Sequence, residues 1–177
     1  MEFAIAPVGT GVFWTMAAVT LLACAAPLLV IRRDGLAVSI KNVLLAAVLI
    51  LPFTATLTYS VHDNALALAD GKLLLRAAHF YEHDRLLSDF DLAAARVGSY
   101  GAIHEARLGA RRNGIHMPGY AAGRFSAPDE KQVFALLTDR NQVVYLPARV
   151  GPSLLLSVER PEQFLAALRA SRKVAGA

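Results

Sequence analysis

The sequence predicts an α+β protein, in which a hairpin of two membrane-spanning helices precedes a small β-rich domain that ends in one helix. Two long uncharged runs lie in the first third of the chain. Short apolar runs separated by turn residues follow them, and an amphipathic stretch comes near the end. With a hydrophobic fraction of 55% over 177 residues, the chain is also too apolar for an ordinary soluble domain.

The two uncharged runs are each long enough for a spanning helix. The first extends from Gly11 to Ile31 and the second from Asn42 to Val61. About 20 apolar residues in a helix cross the ~30 Å hydrocarbon core of a bilayer. Pro27 and Pro52 lie inside the runs, and spanning helices tolerate proline because neighbouring helices and Ser/Thr hydroxyls can satisfy the freed carbonyls. We therefore expect a transmembrane hairpin over residues 1–61 and a separate domain over 62–177.

The distribution of positive charge predicts the orientation of this hairpin. The segment between the two runs contains Arg32, Arg33 and Lys41, whereas the first eleven residues contain only one charge, that of Glu2. Because basic residues favour the cytoplasmic side, this segment is predicted to be cytoplasmic and the C-terminal domain extracytoplasmic. Two further cations, Lys72 and Arg76, follow the second run closely and reduce the asymmetry to three charges against two.

A lipid-anchored form is an alternative that the sequence leaves open. Leu21-Leu22-Ala23-Cys24 resembles the lipobox of bacterial lipoproteins, in which the cysteine is lipidated and becomes the new N-terminus. Against this, the apolar run continues past Cys24, the preceding segment has no basic residue, and a second run follows. Cys24 is the sole cysteine, so an internal disulfide is excluded.

Short apolar runs in residues 62–177 predict a β sandwich or barrel. ALALA and KLLLRA flank the turn residues Asp70-Gly71, and the later runs KQVFALLT and QVVYLPA flank Asp139, Arg140 and Asn141. The later pair predicts a β-hairpin. The chain then predicts a helix that begins at Pro161, whose apolar face packs on an open side of the β layer. That face consists of Phe164, Leu165 and Leu168.

One string, His79-Phe80-Tyr81-Glu82-His83, matches the H-x-x-E-H pattern of inverzincin metallopeptidases. On a helix, His79 and His83 would share a zinc ion, with Glu159 as third ligand and Glu82 as the base that activates water. On a strand the two histidines would lie about 13 Å apart, too far for one zinc. The apolar stripe breaks at Asp84-Arg85, which disfavours a helix. We therefore predict no metal or catalytic residue and keep a small membrane zinc metallopeptidase as an alternative.

The segment RNGIHMPGYAAGRF combines glycines, arginines and aromatic residues. Its glycines follow no phosphate-binding pattern and fit bends or bulges in twisted strands. The segment and its surroundings predict a basic, aromatic binding surface, formed by Arg107, Arg111, Arg112, Tyr120, Arg124 and Phe125. The competing interpretation is a solvated strand face without a ligand. The net charge of +4 is modest and no nucleic-acid-binding motif is present, so nucleic acid is not an expected partner.

Several segments together resemble a known group of proteins. They are Leu73 to Arg76 with Tyr81, Asp89 to Val97, Arg111 to Ile115, Pro118-Gly119-Tyr120 with Gly123 and Phe125, and Leu154 to Leu168. In this order they resemble bacterial membrane proteins of uncharacterised function that carry a pleckstrin-homology-like (bacterial PH) domain. The resemblance implies a PH-like β barrel of seven strands, in two near-orthogonal antiparallel sheets, with the C-terminal helix capping one open end. It also implies a bacterial cytoplasmic membrane as the location.

The resemblance implies no activity, because one fold serves many functions. The leading hypothesis is a non-enzymatic, membrane-anchored interaction or scaffolding module at the bilayer surface, without a cofactor. Its expected partners are the lipid bilayer and either another protein or a second copy of the chain. Besides the peptidase, a structural subunit of a larger membrane complex is an alternative.

Overall fold

The computed structural model of the chain describes residues 1–128 and 131–175. Its N-terminal part is helical, with α1 over Thr10–Ala25, a 3₁₀ stretch over Ala26–Val30, α2 over Ile31–Asp34 and α3 over Leu36–His62. Gly35 separates α2 from α3 with a φ of 82°, a left-handed conformation that suits glycine. The two predicted apolar helices are therefore present, and by length and composition each could cross a membrane.

The two long helices meet at a pair of threonine side chains. The hydroxyls of Thr20 on α1 and Thr54 on α3 lie 3.1 Å apart. Thr54 Oγ1 also donates to the carbonyl of Ile50, and three further hydroxyls on α3 donate in the same way to the carbonyl four residues earlier. Such bonds satisfy hydroxyl groups in a segment that offers them few other partners.

The first sheet is antiparallel and contains residues from both ends of the helical hairpin. Its strands are β1 (Glu2–Phe3), β2 (Ala65–Ala69), β3 (Lys72–Ala77) and β4 (Tyr81–Leu86), in that order across the sheet. The predicted turn at Asp70-Gly71 joins β2 and β3. Both residues have positive φ, which Asp and Gly tolerate better than most residues.

The second sheet contains the remaining strands of the described chain. They are β5 (Arg96–Gly98), β6 (Arg111–Met117), β7 (Tyr120–Ser126), β8 (Gln132–Leu137), β9 (Val143–Leu146) and β10 (Ser153–Leu156). Their order across the sheet is β5-β9-β10-β8-β7-β6. The pair of β8 and β10 is parallel, and the other pairs are antiparallel.

The hairpin predicted between β8 and β9 is wrong, because β10 lies between these strands. The four residues of β10, Ser153–Leu156, are all buried, as expected of a strand in a central position of the sheet. Ser157, just after β10, fixes the arrangement: its hydroxyl accepts hydrogen bonds from the backbone N–H groups of Thr138 and Asp139. The turn residues after β8 therefore lead the chain past β10 rather than directly back.

A shared core lies between the two sheets and under the last helix, α4 (Pro161–Ala175). Leu66 and Leu73 of the first sheet, Phe134 of the second sheet and Phe164 of α4 belong to this cluster. The three apolar residues predicted for α4, Phe164, Leu165 and Leu168, are all buried, which confirms the amphipathic helix. A second cluster lies on the other face of the second sheet, where the segment 99–110 covers Ala121, Phe125 and Val133.

The β domain differs from the antiparallel barrel that the resemblance implied. Within the described residues the two sheets have separate edges and no barrel is closed, and β8 pairs with β10 in parallel. The N-terminal residues also belong to the β domain, although the sequence predicted them to be part of the helical hairpin. Phe3 contacts Phe164 edge to face at 4.9 Å, and the Ala6 N–H donates to the Ser157 carbonyl. The chain segments before α1 and after α3 thus meet in one domain, at the same end of the hairpin.

Candidate interaction site

Two of the predicted site residues, Tyr120 and Phe125, are fully buried, so the prediction that they belong to a binding surface is wrong. Both lie on β7, where alternate side chains point to opposite faces of the sheet. Tyr120 belongs to the core between the sheets and Phe125 to the cluster on the outer face. Because β7 is covered on both faces, its aromatic residues serve packing. Burial also raises the pKa of Tyr120, whose hydroxyl lies 3.5 Å from Asn64 Oδ1.

The four predicted arginines are exposed, and three of them lie on two paired strands. Arg111 pairs in register with Phe125 and shares its face of the sheet. Arg124 pairs with Asn113, next to Arg112, and lies on the opposite face, near His83. Arg107 precedes β6. None of the four forms an ion pair with a carboxylate in the part of the chain that the structure describes. We call these four exposed residues, which lie at one end of β6 and β7 along the edge of the sheet, the arginine patch.

The turn between β6 and β7 lies at the opposite end of these strands from Arg111 and Arg112, against the apolar helices. Gly119 in this turn has a φ of 82°, and a β-carbon there would lie 3.1 Å from Val12 Cγ2 of α1. The Asn113–Arg124 pair is four positions along the ladder from the Met117–Tyr120 pair, which is about 13 Å at 3.3 Å per residue. The arginine patch is thus separated along the strands from the part of the hairpin that contacts α1.

A compact set of hydrogen bonds joins α3 to the β domain. Only Asp63 and Asn64 separate the end of α3 from the start of β2. The Asp63 carboxylate pairs with His79 Nδ1 at 2.5 Å and with Arg76 at 3.2 Å. The Asn64 side chain accepts a hydrogen bond from the Ala78 N–H and donates to the Val61 carbonyl. We call Asp63 and Asn64, with these partners, the junction clamp.

The H-x-x-E-H string forms a turn and a strand instead of the helix that a shared zinc requires. Ala78 and His79 have positive φ in the turn between β3 and β4, whereas Glu82 and His83 lie in β4. His83 packs edge to face on Phe134 at 4.1 Å. Burial, followed by the charges of Arg124 and Arg85, lowers the pKa of His83 to about 4. No group of three metal-ligating side chains occurs within residues 1–128 and 131–175.

Three exposed aromatic side chains surround the end of the helical hairpin that adjoins the β domain. Trp14 is 75% exposed, Tyr59 is 68% exposed and Phe80 is 60% exposed. The Thr20–Thr54 contact places Trp14 and Tyr59 at similar heights on the antiparallel helices. From Tyr59 to Lys41 at the other end, α3 extends about 27 Å at 1.5 Å per residue. Tryptophan and tyrosine concentrate at membrane boundaries. The length of α3 from Tyr59 to Lys41 is close to the ~30 Å thickness of the hydrocarbon core of a bilayer.

No known family model, curated protein or solved structure matches the chain.

Function must therefore be inferred from the junction clamp, the aromatic residues and the arginine patch. Sequence reasoning found the arginines but missed the aromatic residues, although the positions of Trp14 and Tyr59 near the ends of their uncharged runs were a usable signal. It had no signal for the junction clamp, because Asp63 and His79 lie far apart in the chain and meet only through the pairing of β2 with β3.

Proposed function

We propose that this chain is an integral protein of the bacterial cytoplasmic membrane that acts as a non-enzymatic interaction or scaffolding module. The observation that carries the proposal is the junction clamp. Its residues Asp63 and Asn64 are the only two between the end of α3 and the start of β2. A domain attached so closely to a spanning helix stays at the bilayer surface. Its partners are therefore molecules that reach the membrane boundary.

The β6–β7 turn supports the same placement of the domain. It packs against α1 at Val12, so the domain contacts both long helices rather than being connected to α3 alone. The stacking of Phe13 on His62, with centroids 4.8 Å apart, adds a further contact between the two helices at this junction. These contacts favour a fixed orientation of the domain relative to the membrane, as expected of a scaffold.

The finer assignments of fold and orientation are also proposals. A bacterial PH-like domain is supported by two sheets that share one core and by the C-terminal helix across it. An extracytoplasmic β domain is supported by Arg32, Arg33 and Lys41 at the opposite end of the helical hairpin.

We infer that the arginine patch binds an acidic surface of another membrane protein. The patch lies along β6 and β7 away from the turn that contacts α1, which favours a partner in the aqueous phase over the lipid layer. Arginine suits carboxylate partners because its guanidinium can donate two parallel hydrogen bonds. A second copy of the chain is a weaker fit, since the net charge of +4 makes two copies repel each other.

Site-specific photocrosslinking in cells tests this proposal. A photoreactive benzoyl-phenylalanine at position 112 should give one adduct of constant size, which weakens when Arg111 and Arg124 are changed to Gln. The matched control is position 150, because Val150 is exposed in the turn between β9 and β10, outside the patch. No adduct at position 112 would overturn the proposal. An adduct of twice the chain's mass would also overturn it and identify a second copy as the partner.

A further inference from the structure

Two adjoining cavities lie where the β domain meets the helical hairpin. The first has a volume of about 380 Å³ and an apolar lining, including Met16 of α1 and Phe53 of α3. The second has a volume of about 360 Å³ and lies between the start of α1 and the loop after β8, where Arg140 contributes to its wall. Thr15 and Pro118 line both cavities. The cavities therefore adjoin in one cleft, with an apolar end and an end whose lining includes Asp139 and Arg140, which we call the polar end.

The apolar end lies at the depth of the spanning helices. Its walls on α3 extend from Leu57 to Ile50, which are five and twelve residues before His62 at the helix end. At 1.5 Å per residue, this is about 8 to 18 Å along the helix. Tyr59, which marks the proposed membrane boundary, is closer to the helix end than either residue. The apolar end is therefore level with the acyl chains of the leaflet next to the β domain.

The polar end carries one positive and one negative side chain. The Arg140 guanidinium lies over the Tyr100 ring at 5.4 Å, and within the described residues it forms no ion pair. The neighbouring Asp139 carboxylate accepts hydrogen bonds from the backbone and side chain of Asn141 at 2.9 Å. A phosphate beside Arg140 and an ammonium group beside Asp139 would each meet an opposite charge.

We propose that the cleft binds one zwitterionic phospholipid of the surrounding leaflet, with an acyl chain between α1 and α3 and its phosphate at Arg140. The proposal rests on the membrane placement proposed above. The occupant follows from the continuity of the cleft with the lipid-facing side of the helices and from the paired charges at its polar end. The β6–β7 turn closes one side of the cleft through Pro118, so the bound lipid would also connect the domain to the hairpin.

Native mass spectrometry of the full chain tests this. The protein is purified in a mild detergent with added 1-palmitoyl-2-oleoyl-phosphatidylethanolamine and then exchanged into lipid-free detergent. The wild type should retain one phospholipid per chain. Two substitutions that fill the apolar end from different helices, Ala23→Phe and Ile50→Phe, should each lower retention at least tenfold. Arg140→Gln should lower it about three- to tenfold, through loss of the contact with the phosphate.

Matched controls separate the cleft from general lipid binding. Ala18→Phe adds the same ring to an exposed position of α1 outside the cleft, and Arg160→Gln removes an exposed arginine that lines neither cavity. Both should retain the lipid as the wild type does. A wild type without retained lipid would overturn the proposal, as would equal retention in both filling variants. Membrane insertion is measured separately by Trp14 fluorescence, so failure of the lipid site is distinguishable from failure of the membrane placement.

Discussion

Gly114 and Gly123 face each other across the ladder of β6 and β7, and neither position has room for a β-carbon. A β-carbon on Gly114 would lie 2.3 Å from the carbonyl oxygen of Ala122, and one on Gly123 would lie 2.4 Å from that of Asn113. Their φ values of 155° and 123° also lie in a range that other residues rarely adopt. The hairpin that carries both the arginine patch and the turn against α1 thus depends on a close approach of two backbones.

Gly123→Ala should therefore destabilise the protein. Backbone atoms must move to admit the methyl group, and overpacking together with unfavourable φ costs about 2–4 kcal/mol. Thermal unfolding in detergent should show a clearly lower Tm than the wild type. Gly98→Ala is the matched control, because a β-carbon at Gly98 meets nothing within 4 Å. Equal Tm values for the two variants would show that the close approach does not exist.

The N-terminal strand should stabilise the last helix. Phe3 packs on Phe164 of α4, so Phe3→Ala should lower the free energy of unfolding by about 1–2 kcal/mol, less than the loss of a fully buried phenylalanine. Amide hydrogen exchange in residues 161–172 should become faster. The exposed neighbour Glu2 provides the control substitution Glu2→Ala, which should leave exchange in α4 unchanged. Unchanged exchange in Phe3→Ala would contradict the packing of β1 against α4.

His83 should make the β domain less stable in acid. The unfolded chain protonates this histidine near pH 6.5, whereas in the folded domain burial and the nearby Arg124 and Arg85 lower its pKa to about 4. The unfolded state thus binds more protons in this interval, and stability falls as the pH decreases from 6.5 towards 4.

In His83→Gln this decrease should be smaller, measured as Tm against pH in detergent. The exposed His104 supplies the control His104→Gln, which should follow the wild-type curve. If His83→Gln loses stability over this pH range as steeply as the wild type, the neutral, half-buried state of His83 is refuted.

The proposed orientation predicts the accessibility of the loop after β8. A cysteine at Asn141, in a chain whose own Cys24 is replaced by Ala, should react with a membrane-impermeant maleimide in intact cells. Asn141 is exposed, and permeabilised cells control for its reactivity. Labelling only after permeabilisation would place the β domain in the cytoplasm and reverse the orientation inferred from Arg32, Arg33 and Lys41.

Patterns that depend on neighbouring residues predicted much of this fold. The length of the two uncharged runs indicated both long helices, and the Asp70-Gly71 turn indicated the β2–β3 hairpin. The spacing of Phe164, Leu165 and Leu168 indicated the buried face of α4. Strand order was not accessible in this way. Asp139 to Asn141 has the same turn composition whether β8 and β9 pair directly or lie on either side of β10, and only the contacts of Ser157 distinguish these arrangements.

The candidate site was predictable only in part. Arginine exposure follows from the high cost of burying an unpaired charge, so the four arginines were found. Tyr120 and Phe125 were misassigned, because they stand among glycines and arginines in the sequence, whereas the core between the sheets buries Tyr120 and the covering segment buries Phe125. The strand β1 has only two residues, too short for any periodicity, so the participation of the N-terminus in the β domain had no sequence signal.

The central claim is that the helical hairpin lies in a bilayer with the β domain at its surface, and Trp14 tests it most directly. It is the sole tryptophan of the chain, so intrinsic fluorescence reports on one position without any substitution. In vesicles of lipids labelled with bromine at different depths, fluorescence should be quenched most by lipids labelled nearest the headgroup and little by aqueous iodide. Strong quenching by iodide without quenching by the brominated lipids would contradict the account.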